Sequence, residues 1–208
     1  MPMILHEFAL SSASYRVRIA LNLKGLAYEQ RSYRLRAGEQ RSAAYLAINP
    51  AGLVPTLEVD GLRLTQSLAI IDYLEAKWPE PALLPRAPAA RARVLAMAHI
   101  ISSDIHPINN LRVLQYLEDR LGADEASRAQ WTATWIHAGF VALEAMLAEQ
   151  SEHAYAAGET PGLVDLCIVP QVFNARRYRV DLAAYPRLVT VADHAAAHPA
   201  FVKAAPSG

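Results

Sequence analysis

The chain has 208 residues, room for one large domain or two small ones, and its 53% hydrophobic content supports a sizeable core and excludes a disordered chain. Lys and Arg together number 20 and so do Asp and Glu, so the basic excess that favours nucleic acid is missing. The single cysteine, Cys167, excludes an internal disulfide and a cysteine zinc site. It sits in the apolar run 164–169 and reads as an inert core thiol. Residues 1–7 hold neither a basic region nor a long apolar stretch, so no signal peptide and no membrane span are expected. A soluble protein of the reducing cytoplasm is the setting these features suggest.

Residues 3–8 read as a first strand. Residues 15–23 place Val17, Ile19, Ala20, Leu21 and Leu23 at helical spacing, and Gly25 fits the stop. Residues 28–35 alternate as a second strand, and 42–47 suit a short helix before Asn49-Pro50. Residues 56–64 predict a hairpin around Asp60-Gly61, and 68–78 a helix. This order, strand–helix–strand, short helix, strand–strand–helix, is a thioredoxin-like layout. Pro79, Pro81, Pro85 and Pro88 then mark a linker. Beyond it the strand signals stop, and 91–104, 110–121, 126–148 and 163–178 are apolar at three- and four-residue spacing. The expected fold class is α/β plus all-α, with a first domain over residues 1–80 and an all-helical one over 87–208.

Two short segments carry most of the chemistry. In Leu53-Val54-Pro55-Thr56-Leu57 a proline stands at a strand start, which marks an edge, a bulge or a cis turn. A cis bond there would leave the Val54 N–H and C=O facing outward, able to pair with an extended peptide. Gln66-Ser67 opens a helical pattern, and a helix N-terminus with its free amides favours an anion. Together they suggest a pocket for a small peptide ending in a carboxylate. Upstream, Ser11, Ser12 and Ser14 lie at a strand-to-helix turn, where serines commonly cap helices. Ser12 and Ser14 are expected to do the capping, which would leave Ser11 for a ligand.

These segments resemble the zeta class of glutathione transferases, the class of maleylacetoacetate isomerase and glutathione-dependent maleylpyruvate isomerase. The resemblance is carried by Ser11-Ser12-x-Ser14-x-Arg16-Val17-Arg18-Ile19-Ala20-Leu21, Asn49-Pro50, Val54-Pro55-Thr56-Leu57 and Gln66-Ser67. It continues through Asp104-Ile105-His106-Pro107-Ile108-Asn109-Asn110, Val169-Pro170-Gln171-Val172 and the stretch 174–182. It implies a glutathione transferase fold, a thioredoxin-like glutathione-binding domain followed by a helical substrate-binding domain, in a homodimer. Glutathione is the implied cofactor, held by Ser11, Ser12, Gln40, Val54, Pro55, Gln66, Ser67, His106 and Asn110. Ser11 is the implied thiol-activating hydroxyl, with Ser12 its rival. Arg177 is implied as a catalytic and substrate-side cation, with Arg112 as a second substrate contact. No metal is implied.

The implied reaction is addition of a thiolate to the cis double bond of a maleyl keto acid, rotation, and loss of the thiolate to leave the fumaryl isomer. A free thiol has a pKa of about 8.5, and one charge-assisted hydrogen bond is worth about 1.5–3 kcal/mol, so a hydroxyl and a helix dipole can make the thiolate substantial at neutral pH. Three positions depart from the family pattern. Leu10 stands where arginine is usual, Ala13 where cysteine is usual, and Gly162 where a helix-capping Ser or Thr is usual. Leu10 removes a cation that could hold a substrate carboxylate. It favours a second reading, a transferase acting on other electrophiles such as halogenated acids. A third reading is a non-catalytic binding protein whose serines only cap a helix. Residues 104–110 and 122–126 look closer to maleylpyruvate enzymes, and the Ser11-Ser12 turn to maleylacetoacetate enzymes.

Overall fold

The computed structural model describes residues 2–149 and 153–206. The first unit is built on a sheet of β1 (Ile4–Glu7), β2 (Glu29–Ser32), β3 (Thr56–Val59) and β4 (Leu62–Thr65). The strand order is β2-β1-β3-β4, with β1 and β2 parallel and the other pairs antiparallel. Between β1 and β2 runs α1 (Ser12–Leu23), between β2 and β3 the short α2 (Ala43–Leu46), and after β4 comes α3 (Ser67–Lys77). Asp60 and Gly61, both at positive φ (54° and 77°), turn the β3–β4 hairpin, as a two-residue loop with right-handed strand twist requires. This is the thioredoxin-like arrangement the sequence predicts.

Every residue of α1 from Ser12 to Leu21 is buried, two arginines among them. Arg18 pairs with Glu7 and donates through Nε to the Ala204 carbonyl at 2.8 Å. Asn22 donates to Ala200 O at 3.0 Å. Ala200 and Ala204 belong to α9 (Pro199–Ala204), a last short helix that packs on α1. Orphan carbonyls at a helix end need such donors when buried.

The second unit is helical. It contains α4 (Pro88–His99), which runs into a π-helical turn over Ile100–Ile105, then α5 (Leu111–Leu121), α6 (Glu125–Ala148), α7 (Leu163–Arg177) and α8 (Pro186–Ala196). Its core gathers Met97, Ile101, Ile105, Ile136, Phe140, Leu143, Leu166, Ile168 and Leu188. Gly139 on α6 lets the π-helical turn approach. A Cβ there would come within 2.3 Å of Ile105 Cδ1, inside a core with no room to yield. Among the described residues no helix is long and apolar enough to cross a membrane.

The chain divides into residues 2–83 with 198–206, and 84–197. The helical unit closes at Ala197, and residues 198–206 fall with the first unit. The pattern-based helices stop at 178, yet α8 and α9 follow. Both begin with proline, at Pro186 and Pro199. Proline is disruptive inside a helix and well suited to its first position.

Candidate active site

The sheet register brings the motifs of the first unit to one end. His6 pairs with Thr56, Thr56 with Thr65, and Glu7 with Ser32. The loop leaving β1 toward Ser11, the segment leaving β2 toward Gln40, the Val54-Pro55 approach to β3 and the Gln66-Ser67 exit from β4 therefore share that end.

Ser11 is the N-cap of α1, and its Oγ accepts the Ser14 N–H at 3.2 Å. This corrects the expectation that Ser12 and Ser14 cap the helix. Ser12 is the first helical residue, and Ser14 Oγ turns back to accept the Phe8 N–H at 3.5 Å. A hydroxyl has two lone pairs and one proton, so a capping Ser11 still has its proton to donate. It is half-buried, whereas Ser12 is buried. The twelve-residue helix behind Ser11 adds the positive end of its dipole. Leu10 beside it is exposed.

The Val54-Pro55 bond is cis. Neither the N–H nor the C=O of Val54 forms a hydrogen bond with the described residues. Pro55 is buried and Val54 half-buried. Ser67 is the first residue of the eleven-residue α3 and is buried. Arg16, itself 1% exposed, donates through Nη1 to Ser67 Oγ at 3.2 Å. That contact ties α1 to the start of α3 and leaves the Ser67 proton available. Sequence patterning did not single out Arg16, because an arginine in a helix is ordinarily a surface residue.

Gln66 caps α3 at φ 66°, ψ 117°, with its side chain exposed. A non-glycine residue held there costs about 1–3 kcal/mol, an outlay that clusters at ligand sites. Gln40 is buried, and its Oε1 has no hydrogen-bond partner among the described residues. Gly52, at φ 62°, passes so close that a Cβ would lie 3.2 Å from the Gln40 carbonyl. Free main-chain groups, a serine at a helix start and an orphaned amide fit a small, extended, acidic peptide such as glutathione. Among the described residues no group of three His, Cys, Asp or Glu side chains is placed to hold a metal.

The remaining candidates belong to the helical unit. His106 closes the π-helical turn, its N–H bonded to Ile101 O at 2.9 Å. Asn110 caps α5, its Oδ1 accepting the Arg112 N–H at 3.2 Å. The turn between them is braced on α6 by Trp131 Nε1, which donates to Ile108 O at 3.0 Å, and by Asn109 Nδ2, which donates to Thr132 O at 3.3 Å. Arg112 is exposed in the first turn of α5. Arg177 is exposed in the last turn of α7, with its guanidinium 5.2 Å from the Tyr178 ring centroid. Its neighbour Arg176 is engaged by Asp193 at 2.7 and 3.0 Å. Arg177 forms no ion pair among the described residues, so its charge is available to an anion.

Residues 5–82 match the family model described as "Glutathione S-transferase, N-terminal domain". A probable maleylacetoacetate isomerase of Vibrio cholerae is 47% identical over 209 residues, covering 99% of this chain and 96% of the relative. A holo structure of a maleylpyruvate isomerase, described as a bacterial glutathione S-transferase in the zeta class, superposes with a TM-score of 0.96 at 48% identity, covering 98% of this chain and 96% of that one. A maleylacetoacetate isomerase from Methylobacterium extorquens AM1, crystallised with malonate and GSH, superposes with a TM-score of 0.94 at 36% identity, covering 98% of this chain and 96% of that one. The chain belongs to the zeta-class glutathione transferases, among the maleylacetoacetate and maleylpyruvate isomerases.

Proposed function

We propose that the protein is a glutathione-dependent cis–trans isomerase of a maleyl keto acid, maleylacetoacetate or maleylpyruvate, in the breakdown of aromatic compounds. The observation that carries this reading is the convergence of Ser11, Val54 and Ser67 at one end of the sheet, in a chain nearly half identical to isomerases of both substrates. Bound glutathione supplies a thiolate that adds to the cis double bond and leaves after rotation. The Val54 main chain pairs with the peptide, and Gln66 and Ser67, with the α3 amides, hold its γ-glutamyl carboxylate. Pro55 shapes that edge, Gln66 fixes the turn into α3, and the Gln40 amide offers a further contact. Ser11 donates its proton toward the sulfur at the positive end of α1, with Ser12 beside it. His106 and Asn110 are taken as further ligand contacts solely on the family resemblance. Arg177, seconded by Arg112, neutralises the substrate carboxylates and the charge that develops on the ketone oxygen.

The deciding experiment follows the ultraviolet spectrum of maleylpyruvate, and of maleylacetoacetate, with and without glutathione. Conversion to the fumaryl isomer is expected only when glutathione is present. No conversion, or conversion indifferent to glutathione, overturns the reading. Exposed Leu10 in place of the usual arginine favours one second reading, transfer of glutathione to other electrophiles such as halogenated acids. Faster turnover of chloroacetate-type substrates than of either maleyl acid would establish it.

Ser67→Ala is expected to weaken glutathione binding about tenfold, the order of a lost hydrogen bond to a charged group. Calorimetric titration measures this, and an unchanged affinity removes Ser67 from the site. The protein is further proposed to be cytoplasmic and, as the family resemblance implies, a homodimer. Sedimentation at micromolar concentration should show the dimer mass, and a stable monomer would refute it.

A further inference from the structure

Tyr45 on α2 and Asn49 just beyond it are 1% and 3% exposed. Neither side chain reaches the surface at which a ligand would bind. The Tyr45 hydroxyl donates to the Leu53 carbonyl at 2.6 Å and lies 3.1 Å from Thr56 Oγ1. Asn49 Nδ2 donates to the same two atoms, at 2.7 and 3.1 Å. Its Oδ1 accepts the Ala51 N–H at 3.0 Å, which fixes the orientation of the amide. The single Tyr45 proton goes to the shorter contact, so Thr56 donates to Tyr45 and accepts from Asn49. Every side-chain polar atom of Tyr45, Asn49 and Thr56, and the Leu53 carbonyl, then has a partner. The Tyr45 ring is backed by Tyr33, edge to face at 4.5 Å between centroids, and the Tyr33 hydroxyl meets His6 Nδ1 at 2.8 Å.

Leu53 and Thr56 flank the Val54-Pro55 pair, whose main-chain groups are unbonded. We propose that Tyr45 and Asn49 are positioning residues for glutathione: by holding the Leu53 carbonyl from behind, they present the Val54 N–H and C=O in binding geometry before the ligand arrives. This rests on the glutathione reading given above. The ordering of the segment is then completed on folding and is not repeated on binding. The Leu53 carbonyl is the controlling atom, because it shares one planar peptide unit with the Val54 N–H, so holding the carbonyl inward turns that N–H outward. Thr56 lies beyond Pro55, within β3, where the ladder already fixes the backbone.

Tyr45→Phe and Thr56→Val each remove a buried hydroxyl from the same bracket, but only the first takes a donor from the Leu53 carbonyl. Calorimetric titration with glutathione and with S-methylglutathione, alongside thermal melting, separates the two effects. Tyr45→Phe is expected to weaken both ligands about tenfold, and Thr56→Val by less than about twofold at a comparable loss of melting temperature. The thiolate titration of bound glutathione should have the same midpoint in Tyr45→Phe as in the wild type, since activation is not the role proposed. Asn49→Ser keeps a hydroxyl for the Ala51 N–H and removes the other donor to Leu53. It should behave like Tyr45→Phe, and it replaces that variant should the latter not fold. Wild-type affinity in Tyr45→Phe, or equal weakening in Thr56→Val, overturns the positioning role while the glutathione site stands. Absence of glutathione binding by the wild type overturns both.

Discussion

Asp165→Ala is expected to lower the stability of the protein by about 2–5 kcal/mol, since it strands the buried Ala156 N–H, at about 1–3 kcal/mol, and the half-buried Gly162 N–H, at somewhat less. Asp165 is 1% exposed at the start of α7. One carboxylate oxygen accepts the Ala156 N–H at 2.9 Å and the other the Gly162 N–H at 2.8 Å. It thus ties the segment before α7 to the helix that fills the centre of the helical unit. In the usual capping box a Ser or Thr hydroxyl returns the bond, but Gly162 has none. Asp165 carries the cap alone. At about 2–4 °C per kcal/mol for a chain of this size, the melting midpoint should fall by roughly 10 °C. A fall under about 2 °C would show that the cap contributes little.

The same residue gives a pH signature with a definite sign. Burial pushes the Asp165 carboxyl up from 3.8 to about 6, against the pull of the Gly162 and Ala156 N–H groups. An acid whose folded pKa is raised binds its proton more tightly in the native state. Its contribution is therefore fully present below the unfolded value and is lost as pH rises through the folded one. Asp165→Asn stays neutral throughout and serves as the reference. Wild-type stability relative to that variant should be highest below about pH 4 and decline to a plateau near pH 7, by about 3 kcal/mol for a displacement of about two pH units. A flat difference between pH 4 and 7 would mean that the two hydrogen bonds offset burial.

The first unit is largely legible from sequence because its signals are local. Asp60-Gly61 dictates the hairpin, and Val54-Pro55 and Gln66-Ser67 mark element ends by backbone chemistry alone. What escapes is set by residues far apart in the chain. The serines at 11, 12 and 14 are all plausible caps, and only the entry angle of the chain into α1 decides for Ser11. Arg16 and Arg18 look like surface residues of a helix, and their burial depends on Ser67, Glu7 and the carbonyl of Ala204. The division of the chain is missed for the same reason. The last helix is six residues long and opens on Pro199, and it is defined by the α1 side chains that bond its carbonyls. Asn49 shows in sequence as half of an Asn-Pro turn signal. Its second use, bracing Leu53 and Thr56 with Tyr45, appears only once α2 has folded over β3.

Ser11→Ala should raise the midpoint at which bound glutathione forms its thiolate by about one to two pH units, since one hydrogen bond to a charged sulfur is worth about 1.5–3 kcal/mol. Turnover at neutral pH should drop about 10–100-fold with it, while glutathione affinity changes little because its main chain and carboxylate are held at Val54 and Ser67. The structure adds a complication: Ser11 is also the N-cap of α1. Alanine at a cap costs about 0.5–2 kcal/mol of helix stability, whereas glycine costs only a few tenths. Ser11→Gly is therefore the decisive companion, lacking the hydroxyl but sparing the cap. If the hydroxyl activates the thiol, Ala and Gly variants lose turnover equally and differ only in melting. If turnover instead follows melting, Ser11 acts through the helix and not through the sulfur. Thiolate absorbance of the glutathione complex against pH, measured for these variants and for Ser12→Ala, completes the assignment. A midpoint that moves in Ser12→Ala and stays in both Ser11 variants gives the role to Ser12. A midpoint that moves in none leaves the thiolate to the amides and dipole of α1 alone.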